Sequence, residues 1–100
     1  MTTGGAGPRA DVNLLVICTG NTARSVMAGA MLTFLAERSG TSIGLATAGT
    51  HVSCGQPISA RTLAALGVVP ELAALPLGGH RSRQVEAADL ERADLVIAME

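Results

Sequence analysis

Cys18 and Arg24 bracket a short run of small and polar residues within "VICTGNTARSV", Val16 to Val26. A cysteine that ends an apolar run, followed by Thr19, Gly20, Asn21, Thr22 and Ala23 and then by Arg24 and Ser25, has the composition of an anion cradle with a nucleophile at its base. Gly20 admits conformations closed to other residues, and Asn21 tolerates left-handed geometry while offering its amide to hold the loop. The N–H groups of such a turn converge, and a helix starting there adds positive potential, so the loop suits a tetrahedral dianion. Arg24 supplies a planar bidentate donor for two phosphoryl oxygens. The same field lowers the pKa of a thiol from its ordinary value of about 8.5, which aims a thiolate at the phosphorus held above it. That constellation performs phosphoryl transfer through a cysteinyl-phosphate, with Ser25 placed to hydrogen-bond the sulfur. The alternative is that Cys18 is an inert core residue ending a strand. A Walker A reading fails, because the chain has no Gly-Lys-Ser/Thr and no lysine.

This chemistry needs elements to position it. "VNLLVIC", Val12 to Cys18, is a continuous apolar run rich in β-branched residues, as expected of a strand buried on both faces. "SVMAGAMLTFLAERSG" follows as a helix, with Met27, Ala30, Met31, Phe34 and Leu35 on one face and Gly40 as its stop. "SIGLATAG", Ser42 to Gly49, is a weaker second strand, "THVSCGQP" a loop, and "ISARTLAALGV" a short helix ending at Gly67. "VPELAALPLGGH" is a Pro- and Gly-punctuated connection, "QVEAADLERA" a helical turn or two, and "DLVIAM" a third buried strand. The alternation predicts an α/β domain, a three-layer α/β/α arrangement around a central parallel sheet. Residues 1–11 read as a flexible N-terminal arm and 12–100 as the domain. An open sheet that stops after its last strand lacks a covering helix on that side, so the expectation is a C-terminally truncated domain.

Bulk properties exclude several classes. The 100 residues are 48% apolar and 15% charged, with a formal net charge of −1, which is a core-forming composition. It lacks the basic balance of a nucleic-acid binder, and a single aromatic, Phe34, leaves no stacking platform for bases. No apolar run reaches the roughly 20 residues that span a bilayer, and "MTTGGAGPRAD" has no signal-peptide core. No nucleic acid, no membrane and a cytoplasmic location are therefore the expectations. Cys-x-x-Cys spacing is absent and His51 and His80 stand far apart, so no metal site and no cofactor are expected. All seven basic residues are arginine and alanine is abundant, which points to a GC-rich genome rather than to mechanism.

"VICTGNTARS" resembles the signature of the low-molecular-weight protein tyrosine phosphatases, whose phosphotyrosine phosphatase I-like, Rossmann-like fold also houses thioredoxin-linked arsenate reductases. The similarity continues through "ATAGTHVSCGQPIS", "GGHRSRQV" and "DLERADLVIAME", in family order, and covers Val12 to Glu100. It implies that Cys18 is the nucleophile, that Arg24 binds the phosphoryl group with the amides of Thr19, Gly20, Asn21, Thr22 and Ala23, and that Asn21, Ser25 and His80 form a supporting hydrogen-bond network. Arg83 would make a structural contact. The implied activity is hydrolysis of a phosphotyrosine protein or a small aryl phosphate, with inorganic phosphate as product and ligand.

The same resemblance marks departures. Family members carry a general acid in an Asp-Pro loop downstream of the strand matching "DLVIAM". Asp89 precedes that strand and Asp94 opens it, neither lying downstream, so no general acid is assigned within the 100 residues. Ala23 stands where many relatives have a second loop cysteine, and Val26 replaces a first-turn proline. Gly29 inside the helix is expected to cost about 1 kcal/mol relative to alanine. "THVSCGQP" lacks an aromatic that would flank a phosphotyrosine ring. Two further readings remain open: an arsenate reductase with partner cysteines beyond residue 100, and an inactive anion-binding fragment lacking the acid. Cys54 is read as a plain thiol in preference to a redox partner of Cys18, and His51 as a loop residue at the cleft rim. The Arg81 and Arg83 pair reads as solvated surface or local pairing in preference to an anion patch, and Met27 and Met31 as core packing.

Overall fold

The computed structural model describes residues 12–99. The proposed arm over residues 1–11, and Glu100, lie outside them. Three strands, β1 (Val12–Cys18), β2 (Ile43–Gly49) and β3 (Leu95–Ala98), form one parallel sheet in the order β2-β1-β3. Helices α1 (Arg24–Ser39), α2 (Ala60–Gly67), α3 (Pro70–Ala73) and α4 (Ala87–Arg92) flank it, and Leu77–Gly79 add a 3-10 turn. The layered α/β fold expected from the alternation of elements is the one observed.

Strand β1 is central, and its apolar run explains why. Leu15 and Val16 are 1% and 0% exposed, so its two faces are both covered. Because β2 and β3 lie on opposite sides of β1, the loop leaving β1 sits at the point where the strand order reverses, the usual ligand position in open α/β sheets. The register pairs Cys18 with Gly49, which brings the end of β2 beside the sulfur-bearing residue. A single parallel bridge, Gly49 with Gln84, attaches the segment before α4 to the free side of β2.

Helix α1 ends as its sequence requires. Gly40 takes a left-handed φ of 71°, and its neighbour Thr41 donates its N–H to Ala36 O at 2.9 Å, a closure that suits glycine. The buried face of α1 differs from the predicted one. Met31 and Leu35 are 47% and 53% exposed, whereas Ser25, Val26, Gly29 and Ala30 are buried. Small residues repeating at i and i+4 let the helix approach the sheet closely, while the large apolar residues lie at its margin; Met27 and Phe34 pack there against the cluster of Val26, Ala30, Ile58, Leu66 and Leu72. Gly29 is therefore more than a helix weakness. A Cβ there would lie 3.1 Å from Thr47 Cγ2 and 3.2 Å from Leu45 Cδ2.

Two further expectations are corrected. The connection from Val69 to His80 contains α3 and the 3-10 turn, elements too short to show a hydrophobic period. Strand β3 is not buried: Leu95 and Val96 are 54% and 42% exposed, because β3 is an edge strand that no other element among the described residues covers. Apolar content in an edge strand looks the same in sequence as apolar content in a central one.

Candidate active site

The loop between β1 and α1 folds around Asn21. This residue is fully buried and holds a left-handed φ of 57°, a conformation that asparagine tolerates better than most residues. Every polar group of its side chain is used. Asn21 Nδ2 donates to Ser25 Oγ and to Thr47 Oγ1, each at 3.0 Å, and Oδ1 accepts the Arg83 N–H at 3.0 Å. The amide can sit only this way round, because the reverse would face a donor with a donor. Its backbone carbonyl accepts from His80 Nε2 at 2.7 Å, which assigns the imidazole proton to Nε2.

Cys18 lies on the floor of this loop, 4% exposed. Its Sγ is 3.0 Å from Ser25 Oγ and receives the Asn21 N–H at 3.3 Å. Since Asn21 Nδ2 already donates to the Ser25 oxygen, the hydroxyl proton is left to point at the sulfur. Burial pushes the thiol pKa up, but the Ser25 hydroxyl, the backbone N–H groups of Ser25 and Asn21 and the charge of Arg24 outweigh it. The net result lies below the ordinary thiol value.

Above the sulfur the loop keeps unspent donors. The N–H groups of Gly20, Thr22, Ala23 and Arg24 have no acceptor among the described residues, and they sit at the N-terminus of the 16-residue α1, whose N-cap Ala23 brings no capping side chain. Arg24 begins that helix, is exposed, and has no ion-pair or hydrogen-bond partner among the described residues. Free amides, a helix N-terminus and an unpaired guanidinium are together the chemistry that suits a tetrahedral anion.

Neighbouring segments hold the loop from outside. Thr50 and His51 donate their N–H groups to Cys18 O and Thr19 O, each at 3.0 Å, and Ser59, which caps α2, donates to Thr22 O at 3.0 Å. Arg83 Nη1 and Nη2 reach Asp89 Oδ2 and Oδ1 at 3.1 and 2.5 Å. Among the described residues, the Arg81 side chain bonds to carbonyls of its own turn, Gly78 O and His80 O.

The structure thus brings Cys18, Asn21, Ser25, Arg24 and His80 together. It keeps His51 and Cys54 exposed in the following loop, with both cysteines free. Asp89 is occupied by Arg83, and Asp94 accepts the Asn13 N–H at the opposite end of β1 from Cys18. No group of three His, Cys, Asp or Glu that could hold a metal occurs among the described residues. No helix among them is long and apolar enough to cross a membrane.

Two site residues escape the sequence reading. Thr47 orients Asn21 from β2, and its only signal is a hydroxyl inside an apolar strand. Gly49 lets chains cross: a Cβ there would clash with Val52 Cγ2 and lie 2.6 Å from Thr19 O. A glycine closing a strand beside a conspicuous loop is the cue for such an approach.

Comparison with known proteins agrees with this fold. A sequence profile for the low molecular weight phosphotyrosine protein phosphatases matches residues 13–100. The curated protein-arginine-phosphatase of Bacillus subtilis (strain 168) is 34% identical over 88 residues, covering 88% of this chain and 55% of that protein. The low molecular weight protein tyrosine phosphatase of T. tengcongensis superposes with a TM-score of 0.79 at 30% identity, over 89% of this chain and 58% of that one. A mutant of the YwlE arginine phosphatase with a phosphorylated active-site serine superposes with a TM-score of 0.78 at 32% identity, over 87% of this chain and 54% of that one. The chain spans little more than half the length of these relatives, and it belongs to the low molecular weight phosphotyrosine protein phosphatase family.

Proposed function

We propose that this chain carries the phosphate-binding and nucleophilic part of a protein phosphatase acting through a cysteinyl-phosphate. The Cys18 thiolate attacks phosphorus in line, an S–P bond forms, and the bond from phosphorus to the leaving group breaks. The unspent amides of Gly20, Thr22, Ala23 and Arg24 and the Arg24 guanidinium hold the equatorial oxygens as charge develops on them. Water then attacks the cysteinyl-phosphate, inorganic phosphate leaves, and the thiolate is restored. Ser25 stabilises the sulfur both as nucleophile and as leaving group. The observation that carries this reading is a thiol facing one hydroxyl and two amides at the floor of a loop with unspent donors. The phosphorylated active-site serine of the mutant YwlE phosphatase supports a covalent step in that relative.

A phosphotyrosine-type monoester is the substrate in keeping with the family's name. A second reading, phosphoarginine, is favoured by the arginine phosphatases among the relatives and by a rim loop, Thr50 to Pro57, that has no aromatic residue to flank a tyrosine ring. Parallel assays on phosphotyrosine and phosphoarginine peptides decide between them by the ratio of kcat/KM. For the shared chemistry, Cys18→Ser is expected to abolish turnover of p-nitrophenyl phosphate while inorganic phosphate still binds by calorimetry. Full turnover in that variant would refute the nucleophile. Arsenate-dependent oxidation of a thiol reductant, without phosphatase activity, would replace the reading with the reductase one.

A further inference from the structure

Asp89 has no part in the chemistry just described, yet its environment is that of a built site. Its side chain is 3% exposed and its two oxygens meet the two terminal nitrogens of Arg83 in a fork. Asp89 Oδ2 also accepts the Glu86 N–H at 2.8 Å, and Arg92 approaches Oδ1 at 3.5 Å from the solvent side. The guanidinium that it holds belongs to a half-exposed residue, 41% accessible, with no other hydrogen-bond partner for that group among the described residues.

The main chain of that same residue is wedged between the two strand ends of the site. The Arg83 N–H donates to Asn21 Oδ1 at 3.0 Å, and Arg83 O accepts the Gly49 N–H at 2.9 Å. Asn21 in turn fixes Ser25 Oγ, whose proton faces Cys18 Sγ. A continuous series of polar contacts therefore runs from a buried carboxylate on α4 to the sulfur, and its middle member, Asn21, has all its side-chain donors and its acceptor engaged.

We propose that Asp89 is a positioning residue for the cradle, acting on Cys18 through Arg83, Asn21 and Ser25. The proposal rests on the phosphatase reading of Cys18. Loss of the fork frees the Arg83 main chain to withdraw its N–H from Asn21. The Asn21 amide then loses the contact that sets its orientation, and the Ser25 hydroxyl loses the partner that turns its proton toward sulfur. The thiolate is destabilised although no residue touching it has changed.

The test uses the full chain with Cys54→Ser, so that Cys18 is the thiol followed, and compares it with the same background carrying Asp89→Asn or Arg83→Lys. Both variants keep a polar group of similar size and remove the fork, and Arg83→Lys alters only a half-exposed side chain should Asp89→Asn fail to fold. The pH dependence of Cys18 alkylation by iodoacetamide is measured beside aryl phosphate turnover and thermal unfolding. The expected result is an alkylation midpoint raised by about one pH unit, hence about tenfold slower alkylation below the midpoint, with an unchanged limiting rate at alkaline pH and a fall in kcat larger than any change in KM. A lowered melting temperature with the wild-type midpoint retained in every folded variant would overturn the proposal, because that is how a purely structural ion pair behaves. If the parent lacks phosphatase activity while the midpoints still shift, the functional reading fails and the Asp89 connection stands.

Discussion

At the scale of single residues, the contest that matters is over the Cys18 proton. Burial favours the neutral thiol, and Ser25, two amides and Arg24 favour the thiolate and prevail. A folded-state pKa below the unfolded one means that the native chain binds fewer protons between the two values. The thiolate therefore adds stability above the ordinary thiol range, and that contribution is lost as pH falls through the folded value. Ser25→Ala removes a hydrogen bond to a charged group, worth about 1.5–3 kcal/mol. It is expected to slow aryl phosphate turnover about tenfold to a hundredfold and to move the Cys18 alkylation midpoint upward. A pH profile identical to wild type would show that the hydroxyl does not stabilise the thiolate.

At the scale of elements, the site depends on how closely chains approach one another. Helix α1 presents Ser25, Gly29 and other small residues to the sheet, and β2 ends in a glycine because the backbone of Thr19 passes over it. Gly49→Ala forces Val52 and the Thr19 carbonyl apart, and overpacking of this kind costs about 1–3 kcal/mol. Because the displaced backbone adjoins Cys18, the variant is expected to lose activity as well as stability. Urea unfolding and phosphatase assays on the same sample test this, and an unchanged midpoint with full activity would contradict it. The loop from Thr50 to Pro57 is held independently. Ser82 Oγ donates to Ser53 O at 2.6 Å and accepts the Gln56 N–H at 2.9 Å, and Gln84 bridges Val52 N and Thr50 O at 3.1 and 2.8 Å. Two segments far apart in the chain thus build the rim together.

At the scale of the whole molecule, burial is uneven across the sheet. Strand β1 is packed on both faces, whereas β3 carries exposed Leu95 and Val96, and α1 carries exposed Met31 and Leu35. Large apolar residues contribute to stability only where they leave water. In the 100-residue chain, Leu15→Ala is therefore expected to cost about 2–5 kcal/mol. Leu95→Gln should stay within about 0.5 kcal/mol of the parent, as surface changes usually do. Chemical denaturation of the two variants measures the difference, and equal losses would mean that β3 is packed after all.

Much of this was legible from residue order alone. The apolar run of β1, the cysteine at its end, the small polar loop and the arginine beyond it are contiguous, so the candidate site and its strand–loop–helix setting follow from local pattern. Gly40 as a helix stop and the parallel α/β class follow in the same way, since turn conformation and hydrophobic period are properties of short windows. The rest needed contacts between distant segments. That Asn21 is held at once by Thr47, His80 and Arg83, and that Asp89 reaches the site through Arg83, depends on which polar groups the sheet order brings within hydrogen-bond distance. The buried face of α1 and the exposure of β3 depart from the sequence pattern for a related reason. Hydrophobicity is written in each residue, but whether it is covered depends on what packs against it, and only the tertiary structure decides that.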